Sequence, residues 1–553
     1  MSKSLANHPD ELKSDYQTVV IGSGYGGAIT AARLASKGQP VCILERGKEW
    51  HPGDFPDQMD DMAMNLRGPM NKLGLVELYM CKDIDVLKGC GLGGGSLVNL
   101  NVAFRPDQDY FDSDDWPKAI RALADSGKIW NYYNKAEGVL KPNHHPRFNE
   151  LTKVQMMKKR VEQLEDAKFG PANITVNFDI DGKNKYGVNQ KPCIDCGDCF
   201  PGCNVGAKNT VAMNYLPLAK SCGAEIFTQM DVSHIAKDGD GWIIYFRRYN
   251  HNAVPEAGMK SIRASKVVLA AGSPGSVEIL LRSAAHGLKL ADALGKGFSG
   301  NGDWIGLCYN SDHRTNVMGF GNHLDSKRAE VRPGTTIASA IQYNRSKPFS
   351  ERITVEDFTV LPSAMVDMFR QSLPMLAMTG KKAPPGSSNE TGKAQRVAKD
   401  MMGWNADGAL NHSMVYLVMA ADDAGGTVYL NGMGKIKIKW PSLREDPIWP
   451  KIEKEIQAHA AALGGTFVQL DRPNPFASNG KNLITAHPLG GNCMADDPDG
   501  GVVDADGRVF HGDGGTHDGL YVADGSILPR SVGVNPFLTI SAFSERIAER
   551  MVA

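Results

Sequence analysis

Near its start the chain has two short apolar runs that flank a glycine turn and a stretch of small, helix-forming residues. The runs are residues 18–21 and 41–44, and the helical stretch between them is residues 28–37. This order of strand, turn, helix and strand predicts a βαβ unit. An apolar run at residues 265–271, followed by a predicted helix at residues 276–283, is typical of a later strand of the same sheet.

The same style of sequence returns near the C-terminus. Residues 519–525 form an apolar run that ends in Asp-Gly, and a helix is predicted over residues 539–550, shortly after Pro536. Proline suits the start of a helix, because its missing N–H would have no intrahelical partner there. The nucleotide-fold domain is therefore predicted to be assembled from separate pieces of the chain.

The middle of the chain follows a different pattern. Residues 118–164 have helical and largely polar spacing, and residues 308–470 alternate between strand-like runs and long helices. This change predicts a second domain.

Within that domain, residues 361–378 are rich in methionine. The four methionines are Met365, Met368, Met375 and Met378. They favour a core helix or, alternatively, a mobile lid over an apolar substrate, because methionine makes an adaptable apolar surface.

Length, composition and charge limit the classes of function. A chain of 553 residues is too long for one simple core, and 42% hydrophobic with 22% charged residues is ordinary for a soluble enzyme. The formal net charge of -1 excludes nucleic acid as the main partner. Residues 1–16 lack the apolar core of a signal peptide, and no apolar run approaches the ~18 residues of a membrane span. We expect a cytoplasmic protein without a membrane span.

The turn after the first strand has the glycine spacing of a dinucleotide-binding motif. Gly22 allows the tight turn, Gly24 lets the backbone approach a pyrophosphate, and Gly27 lets the helix pack close to the strand. The helix N-terminus then directs free N–H groups at the phosphates. Glu45, at the end of the second strand, can accept hydrogen bonds from a ribose hydroxyl. Together these residues predict an ADP-binding unit.

A second glycine-rich loop lies at residues 89–99. Its candidate cofactor-binding residues are Gly91, Gly94, Gly95, Ser96 and Asn99. A segment with so many glycines cannot form the interior of a stable helix or strand, so we expect it to contact the second half of a dinucleotide. The alternative is a flexible linker, although the apolar residues that flank the loop favour burial.

Four of the ten cysteines are bunched in one loop: Cys193, Cys196, Cys199 and Cys203. Their C-x2-C-x2-C-x3-C spacing is close to that of a ferredoxin segment that binds a [4Fe-4S] cluster. Four thiolates can also hold zinc in a tetrahedral site. Free or disulfide-linked thiols are the third alternative.

Taken together, these motifs resemble the glucose–methanol–choline (GMC) oxidoreductases, and within that family the bacterial cholesterol oxidases. The resemblance rests on segments that follow the family order: residues 22–27 with Glu45, 91–99, 487–491, 521–526 and 532–537. It implies an α/β fold, in which a Rossmann-like FAD-binding domain is assembled from discontinuous segments. The second domain is then an α+β substrate domain with a sheet covered by helices.

The resemblance also implies where the domains begin and end. The predicted FAD-binding domain comprises residues 1–110, 212–307 and 480–553. The predicted substrate domain comprises residues 111–211 and 308–479, with the cysteine loop at residues 193–203.

The roles of individual residues follow from the same resemblance. His487 is similar to the family histidine that faces the flavin and the substrate hydroxyl, and Asn535 to the asparagine beside the same oxygen. The implied FAD-binding positions outside the glycine loops are Val232, Ala271, Gly272, Asp524, Gly525, Pro536 and Phe537. A histidine suits proton transfer, because its unperturbed pKa of ~6.5 permits donation and acceptance near neutrality.

The expected function is therefore FAD-dependent oxidation of an alcohol CH–OH group, with hydride transfer to flavin N5. The methionine-rich segment and the glycine loop favour an apolar small-molecule substrate such as a sterol. An iron–sulfur cluster at the cysteine loop would pass electrons to a protein or quinone acceptor in place of oxygen. The alternatives are an electron-transfer flavoprotein with no substrate of its own and a non-redox lyase on the same fold.

Two features depart from the family pattern. Cholesterol oxidases use a glutamate in the substrate domain to move the steroid double bond, and Glu356 or Asp357 lies nearest to that position here. Neither matches the pattern cleanly, so the resemblance does not establish isomerase activity. The cysteine loop is the second departure, because the family's well-known oxidases do not need it.

Overall fold

The computed structural model describes residues 4–68, 71–321, 331–359, 366–382, 389–403, 405–470, 472–473 and 481–552. The helices in these ranges are α1 Tyr25–Ala35, α2 Met59–Met64, α3 Lys118–Asp125, α4 Trp130–Leu140, α5 Thr152–Val161, α6 Tyr215–Ser221, α7 Gly275–Ala285, α8 Val366–Met378, α9 Glu390–Met401, α10 Ile448–Ala462 and α11 Phe537–Val552.

The strands in the same ranges are β1 Asp15–Ile21, β2 Val41–Leu44, β3 Leu66–Arg67, β4 Val76–Tyr79, β5 Ile84–Gly89, β6 Ala167–Pro171, β7 Gly182–Lys183, β8 Asn189–Gln190, β9 Glu225–Phe227, β10 Met230–Asp238, β11 Gly241–Arg248, β12 Lys260–Leu269, β13 Lys296–Phe298, β14 Trp304–Tyr309, β15 Ser339–Tyr343, β16 Ile353–Phe358, β17 Met414–Ala420, β18 Gly426–Leu430, β19 Ile436–Lys439, β20 Thr466–Gln469, β21 Arg472–Pro473, β22 Lys481–Thr485, β23 Arg508–Phe510 and β24 Thr516–Val522.

The largest sheet has eight strands, with β10-β11-β12-β1-β2-β9 in order, β24 beside β12 and β23 beside β24. Strands β1, β2, β9, β12 and β24 run parallel. Their C-terminal ends therefore meet at one edge, which is where α/β sheets bind ligands. The predicted α/β fold, built from separate pieces of the chain, is confirmed by this sheet.

Helix α1 packs unusually close to the last strand of this sheet. A Cβ at Gly26 would lie 1.6 Å from the carbonyl oxygen of Ala523, and a Cβ at Gly22 would lie 2.4 Å from that of Ala270. Only glycine allows these approaches. The glycine turn therefore joins three separated segments of the chain at the C-terminal edge.

A second sheet is antiparallel, with the strand order β20-β14-β17-β16-β15-β6. Helices α5 and α10 contribute buried apolar residues such as Met157, Ile452 and Ile456 to the core on one face of this sheet. Strand β14 crosses residue 307, where the sequence predicted a domain boundary. The smaller sheets are β21-β22-β5-β4-β3, β13-β18-β19 and β7-β8.

Residues 118–164 are largely helical, as predicted, and form three helices: Gly127 adopts a left-handed φ of 68° after α3, and Pro142 cannot continue α4. The methionine-rich helix α8 contributes Leu373 to the core of the second sheet, whereas Met375 and Met378 are 72% and 81% exposed. Met365 lies outside the described residues. No helix of the described ranges is long and apolar enough to cross a bilayer.

An ion pair lies inside the second sheet's core. The ammonium group of Lys153 on α5 is 2.9 Å from Asp357 on β16, and the two side chains are 1% and 0% exposed. Lys153 also donates to the carbonyls of Thr335 and Thr336, and Asp357 accepts hydrogen bonds from Ser339. The pair therefore ties the helix to the sheet.

Replacing Lys153 with Met should lower the free energy of unfolding by about 3–5 kcal/mol, because it leaves a buried carboxylate without its counter-ion. The measurement is urea unfolding followed by circular dichroism. The matched control is Lys158→Met on the same helix, where the loss should stay within about 0.5 kcal/mol. Equal stability of the two variants would contradict a role for the ion pair.

Candidate active site

The C-terminal edge of the large sheet, the glycine loops and the antiparallel sheet enclose a cavity of about 1390 Å³. Ligand pockets usually measure roughly 300–1,000 Å³, so this one has room for a large cofactor and a substrate together. The predicted site residues that line it are Gly22, Gly24, Glu45, Gly94, Gly95, Asn99, Val232, Ala271, Gly272, Asp524, Gly525, Pro536 and Phe537, with His487 and Asn535.

Three predicted cofactor-binding residues shape the loops from behind the cavity. A Cβ at Gly27 would lie 2.0 Å from the carbonyl oxygen of Gly22, so this glycine serves helix packing. Gly91 packs against Trp50 in the same way. The Ser96 hydroxyl donates to the Gly93 carbonyl and accepts from the Val211 N–H. These residues hold the glycine loops in position.

The two glycine loops touch each other at the nucleotide end of the cavity. A Cβ at Gly94 would lie 2.8 Å from the Cα of Gly24, and Gly94 has a left-handed φ of 52°. Glu45 accepts hydrogen bonds from Ser23 and from the Gly47 N–H, which places its carboxylate beside the turn. A bare backbone cradle with a helix N-terminus fits a pyrophosphate, so these residues fit the FAD that the sequence predicts.

Asp524 joins the last piece of the large sheet to its middle piece. One carboxylate oxygen accepts from the Gly272 N–H at 2.8 Å and from the Ser276 hydroxyl, and the other accepts from Ser526. Asp524 is therefore already hydrogen bonded within the protein. Asp524 therefore lines the cavity and also holds the segments around Gly272 and Ser526 together.

A cluster of charged residues lies further along the same wall. Glu77 accepts hydrogen bonds from Arg46, Arg67 and Tyr79. Burial alone would raise the pKa of Glu77, but Arg46, Arg67 and Lys88 hold it at about 2. Sequence analysis did not find this cluster, because its members come from β3, β4, β5 and the segment after β2, with no common motif.

His487 is oriented by a buried carboxylate. Its Nδ1 lies 2.7 Å from Oδ1 of Asp303. The other oxygen of Asp303 accepts from the Thr485 hydroxyl and from the N–H groups of Ala486 and His487. An ionised carboxylate only accepts hydrogen bonds, so Nδ1 carries the proton and Nε2 is left as the acceptor.

Asn535 is oriented from the substrate-domain sheet. Its Nδ2 donates to Oε2 of Glu356 at 3.3 Å, and its own Oδ1 has no partner within the protein. Burial raises the pKa of Glu356 well above its usual value, with smaller contributions from Asp357 and Asp303. Burial therefore disfavours the ionised form of Glu356. Asp357, on the opposite face of β16, is bound by Lys153 instead.

A single segment anchors both of these loops. Asn301 donates to the Val534 carbonyl at 3.0 Å and accepts from the N–H groups of Val532 and Gly533. Asp303 holds the loop of His487, as described above. Because Asn301 and Asp303 are two residues apart, the loops of His487 and Asn535 share one support.

Part of the cavity wall is apolar. It consists of Ile305, Phe358, Val415 and Leu417 from the antiparallel sheet, with Met368, Phe369 and Leu470 beside them. Helix α11 begins at Phe537, which stacks on Tyr25 with a centroid distance of 4.7 Å. The positive end of that helix therefore points into the cavity, where it favours negative charge.

The cysteine loop packs beside the cavity without forming a metal site. Across the described residues, no group of three or more His, Cys, Asp or Glu side chains is placed to hold a metal ion. Cys193, Cys196, Cys199 and Cys203 are all free thiols that are buried or half-buried. The predicted iron–sulfur or zinc centre is therefore not supported by the arrangement of these side chains.

The loop is instead fastened by a buried lysine. Lys208 donates to the carbonyls of Leu97, Asn99 and Cys199, which links the cysteine loop to the second glycine loop. Burial lowers the pKa of Lys208 to about 8. Sequence analysis missed this lysine, as it missed Asp303 and Asn301, because no local signal marks a side chain whose partners are distant.

Replacing Glu356 with Gln should stabilise the protein more as the pH rises. Below pH 4.5, the ordinary pKa of the group, both folded and unfolded states are protonated and the two proteins should be equally stable. Above pH 4.5 the Glu356 carboxyl ionises in the unfolded wild type, whereas burial disfavours its ionisation in the folded state. The free energy of unfolding of the wild type therefore falls by up to about 1.4 kcal/mol per pH unit relative to that of the variant. Urea unfolding from pH 4 to pH 8 measures this difference. The exposed Glu162→Gln is the control, and parallel pH curves for wild type and Glu356→Gln would rule out a raised pKa.

Comparison with known proteins gives consistent relatives along the whole chain. A cholesterol oxidase of Mycobacterium tuberculosis is 27% identical, covering 97% of this chain and 91% of its own length. A cholesterol oxidase of Acinetobacter baumannii is 25% identical, covering 96% and 93%. A long-chain-alcohol oxidase of Arabidopsis thaliana is 23% identical, covering 98% of this chain and 68% of its own.

The fold has a solved counterpart as well. The crystal structure of pyridoxine 4-oxidase from Mesorbium loti matches with a TM-score of 0.57 at 15% identity, covering 97% of this chain and 99% of that one. Family models described as GMC oxidoreductase match residues 74–299 and 453–544. The matched residues include the second glycine loop, Ser299, His487 and Asn535. The chain therefore belongs to the GMC oxidoreductases, a family of FAD-dependent enzymes that act on the CH–OH groups of alcohols.

Proposed function

We propose that this enzyme oxidises the hydroxyl group of an apolar alcohol, such as a sterol, at His487 and Asn535. The observation that carries the proposal is the cavity itself, in which an oriented histidine and an amide with an unpaired oxygen face an apolar wall. An apolar substrate would bury its hydrocarbon part against Ile305, Phe358 and Leu417. Relatives named as cholesterol oxidases and long-chain-alcohol oxidases support the same class of substrate.

The proposed chemistry divides between the cofactor and the side chains. FAD, when bound, accepts the hydride from the alcohol carbon. The Nε2 atom of His487 accepts the hydroxyl proton, because Nδ1 already donates to Asp303. The carboxylate of Asp303 stabilises the imidazolium that results. The apolar wall excludes water, which strengthens these interactions.

Asn535 completes the polar group in this proposal. Its amide is held through Nδ2 by Glu356, so that the free Oδ1 can accept a hydrogen bond in the cavity. Glu356 itself lies against Asn535, and the sequence resemblance raised it as a counterpart of the isomerising glutamate.

The purified protein should be yellow, with FAD that acid precipitation releases into the supernatant. When the protein is mixed anaerobically with candidate alcohols, sterols or long-chain alcohols should bleach the flavin absorbance. Sugar alcohols are the polar comparison. We expect bleaching by the apolar group, because Ile305, Phe358, Val415 and Leu417 of the antiparallel sheet offer no side-chain hydrogen bonds to replace the hydration of a sugar. Bleaching by sugar alcohols alone would refute the apolar substrate, and a colourless protein would refute the proposed function.

The positioning role of Asp303 can be separated from a structural role. Asp303→Asn and His487→Ala should both slow flavin reduction by substrate ~10²-fold or more while FAD stays bound. Asp303→Asn should leave the dissociation constant of the alcohol unchanged, because it alters the orientation of His487 and not the apolar side chains that bind the hydrocarbon part.

Asp422→Asn is the matched control for this experiment. Asp422 is also buried and accepts a hydrogen bond from Gly302 in the same segment, but it does not contact His487. The control should keep the wild-type rate of flavin reduction and the wild-type dissociation constant of the alcohol. If both variants lose rate and affinity equally, Asp303 has only a structural role.

A further inference from the structure

Asn101 is a buried amide that the fold leaves without hydrogen bonds. Its side chain is 1% exposed, and neither Oδ1 nor Nδ2 has a partner. No other amide in the described part of the chain has both of its polar atoms buried and unpaired. Buried polar groups are nearly always hydrogen bonded, because burying one unpaired is costly. The amide therefore requires a partner that is not part of the protein chain.

The left-handed backbone conformation of Asn101 does not by itself require an amide side chain at this position. Its φ is 72°, in the left-handed region, and its carbonyl accepts a hydrogen bond from the Thr175 N–H at 2.9 Å. The next residue, Val102, forms a bridge with Ile174. Glycine satisfies a left-handed position without adding polar atoms. The conformation alone therefore gives no reason for a buried amide at this position.

The location of Asn101 shows what the amide faces. It lines the same cavity as His487 and Asn535, two residues after Asn99 at the end of the second glycine loop. Its neighbours Leu100 and Val102 pack in one cluster with Leu417 of the apolar wall. Asn101 therefore lies where the cofactor-binding loop meets the substrate-facing sheet.

We propose that the side chain of Asn101 hydrogen bonds the flavin ring of FAD, through a carbonyl oxygen and a ring N–H of its polar edge. An amide with a free donor beside a free acceptor matches a partner that displays the same pair, as the flavin does. An apolar alcohol has a single hydroxyl, which His487 and Asn535 already meet. This inference rests on the FAD binding of the proposed function and adds a recognition residue that no motif marks.

The test compares two variants in which glycine replaces an asparagine that has a left-handed φ. The change in backbone conformational entropy is therefore matched between them. Asn101→Gly removes the amide while keeping the left-handed conformation. Asn344→Gly makes the same change at φ 57°, where the amide donates to the Glu351 carbonyl outside the cavity. The dissociation constant of FAD is measured from free-flavin fluorescence on serial dilution of each holoenzyme, together with its visible absorption spectrum.

Asn101→Gly should weaken FAD binding about tenfold, the effect of losing two hydrogen bonds of ordinary strength, and should shift the flavin absorption band. Asn344→Gly should change neither. The FAD-free form of Asn101→Gly should melt no lower than that of Asn344→Gly, because no hydrogen bond within the protein is lost. If Asn101→Gly fails to fold, Asn101→Asp replaces it, since aspartate tolerates the same φ and should also weaken binding by repelling a flavin carbonyl.

The possible failures are distinguishable. Wild-type protein that binds no FAD would overturn the proposed function together with this inference. Wild-type protein that binds FAD, with an unchanged affinity and spectrum in Asn101→Gly, would overturn the inference alone. An unchanged affinity with a higher KM for the alcohol would also overturn it, because the amide would then bind the substrate.

Discussion

The geometry of the candidate active site depends on the hydrogen bonds of one buried segment, residues 299–303, which leads into β14. Ser299 pairs with Leu489 through the backbone, Asp303 holds residues 485–487, and Asn301 holds residues 532–534. All three anchoring residues are buried, so water does not compete for these bonds. Both catalytic candidates are consequently fixed relative to each other by the segment that precedes β14, although they come from different loops.

Polar and apolar side chains meet in the cavity. Asn99, Asn101 and Asn535 line it and carry buried polar atoms that have no hydrogen-bond partner in the protein, and Glu356 beside Asn535 carries another. Other such atoms lie elsewhere in the described residues, for example in Thr18 and Tyr110. Because an unpaired buried polar atom is costly, we expect the cofactor and substrate to supply the missing hydrogen bonds of those that line the cavity. Burial is also the main cause of the raised pKa of Glu356.

Features that depend on interactions between neighbouring residues were predicted from the sequence more accurately than features that depend on distant ones. The glycine turn at residues 22–27 and the strand that ends at Glu45 were predicted correctly, because steric constraints within a few residues decide them. The helical character of residues 118–164 was also predicted correctly, although the pattern did not place the breaks at Gly127 and Pro142. The cysteine loop shows the converse error, in which a local spacing suggested a metal centre that the side-chain arrangement does not support.

The sequence by itself determined the α/β fold, the nucleotide-binding turn and the family, because these are encoded in local spacing and in the order of motifs. It also singled out His487 and Asn535 by their position within those motifs. Only the tertiary structure decided that Asp303 orients the histidine and that Glu356, not Asp357, faces the asparagine. The reason is physical: adjacent residues of a strand point to opposite faces, and the partners of a buried polar side chain come from distant segments.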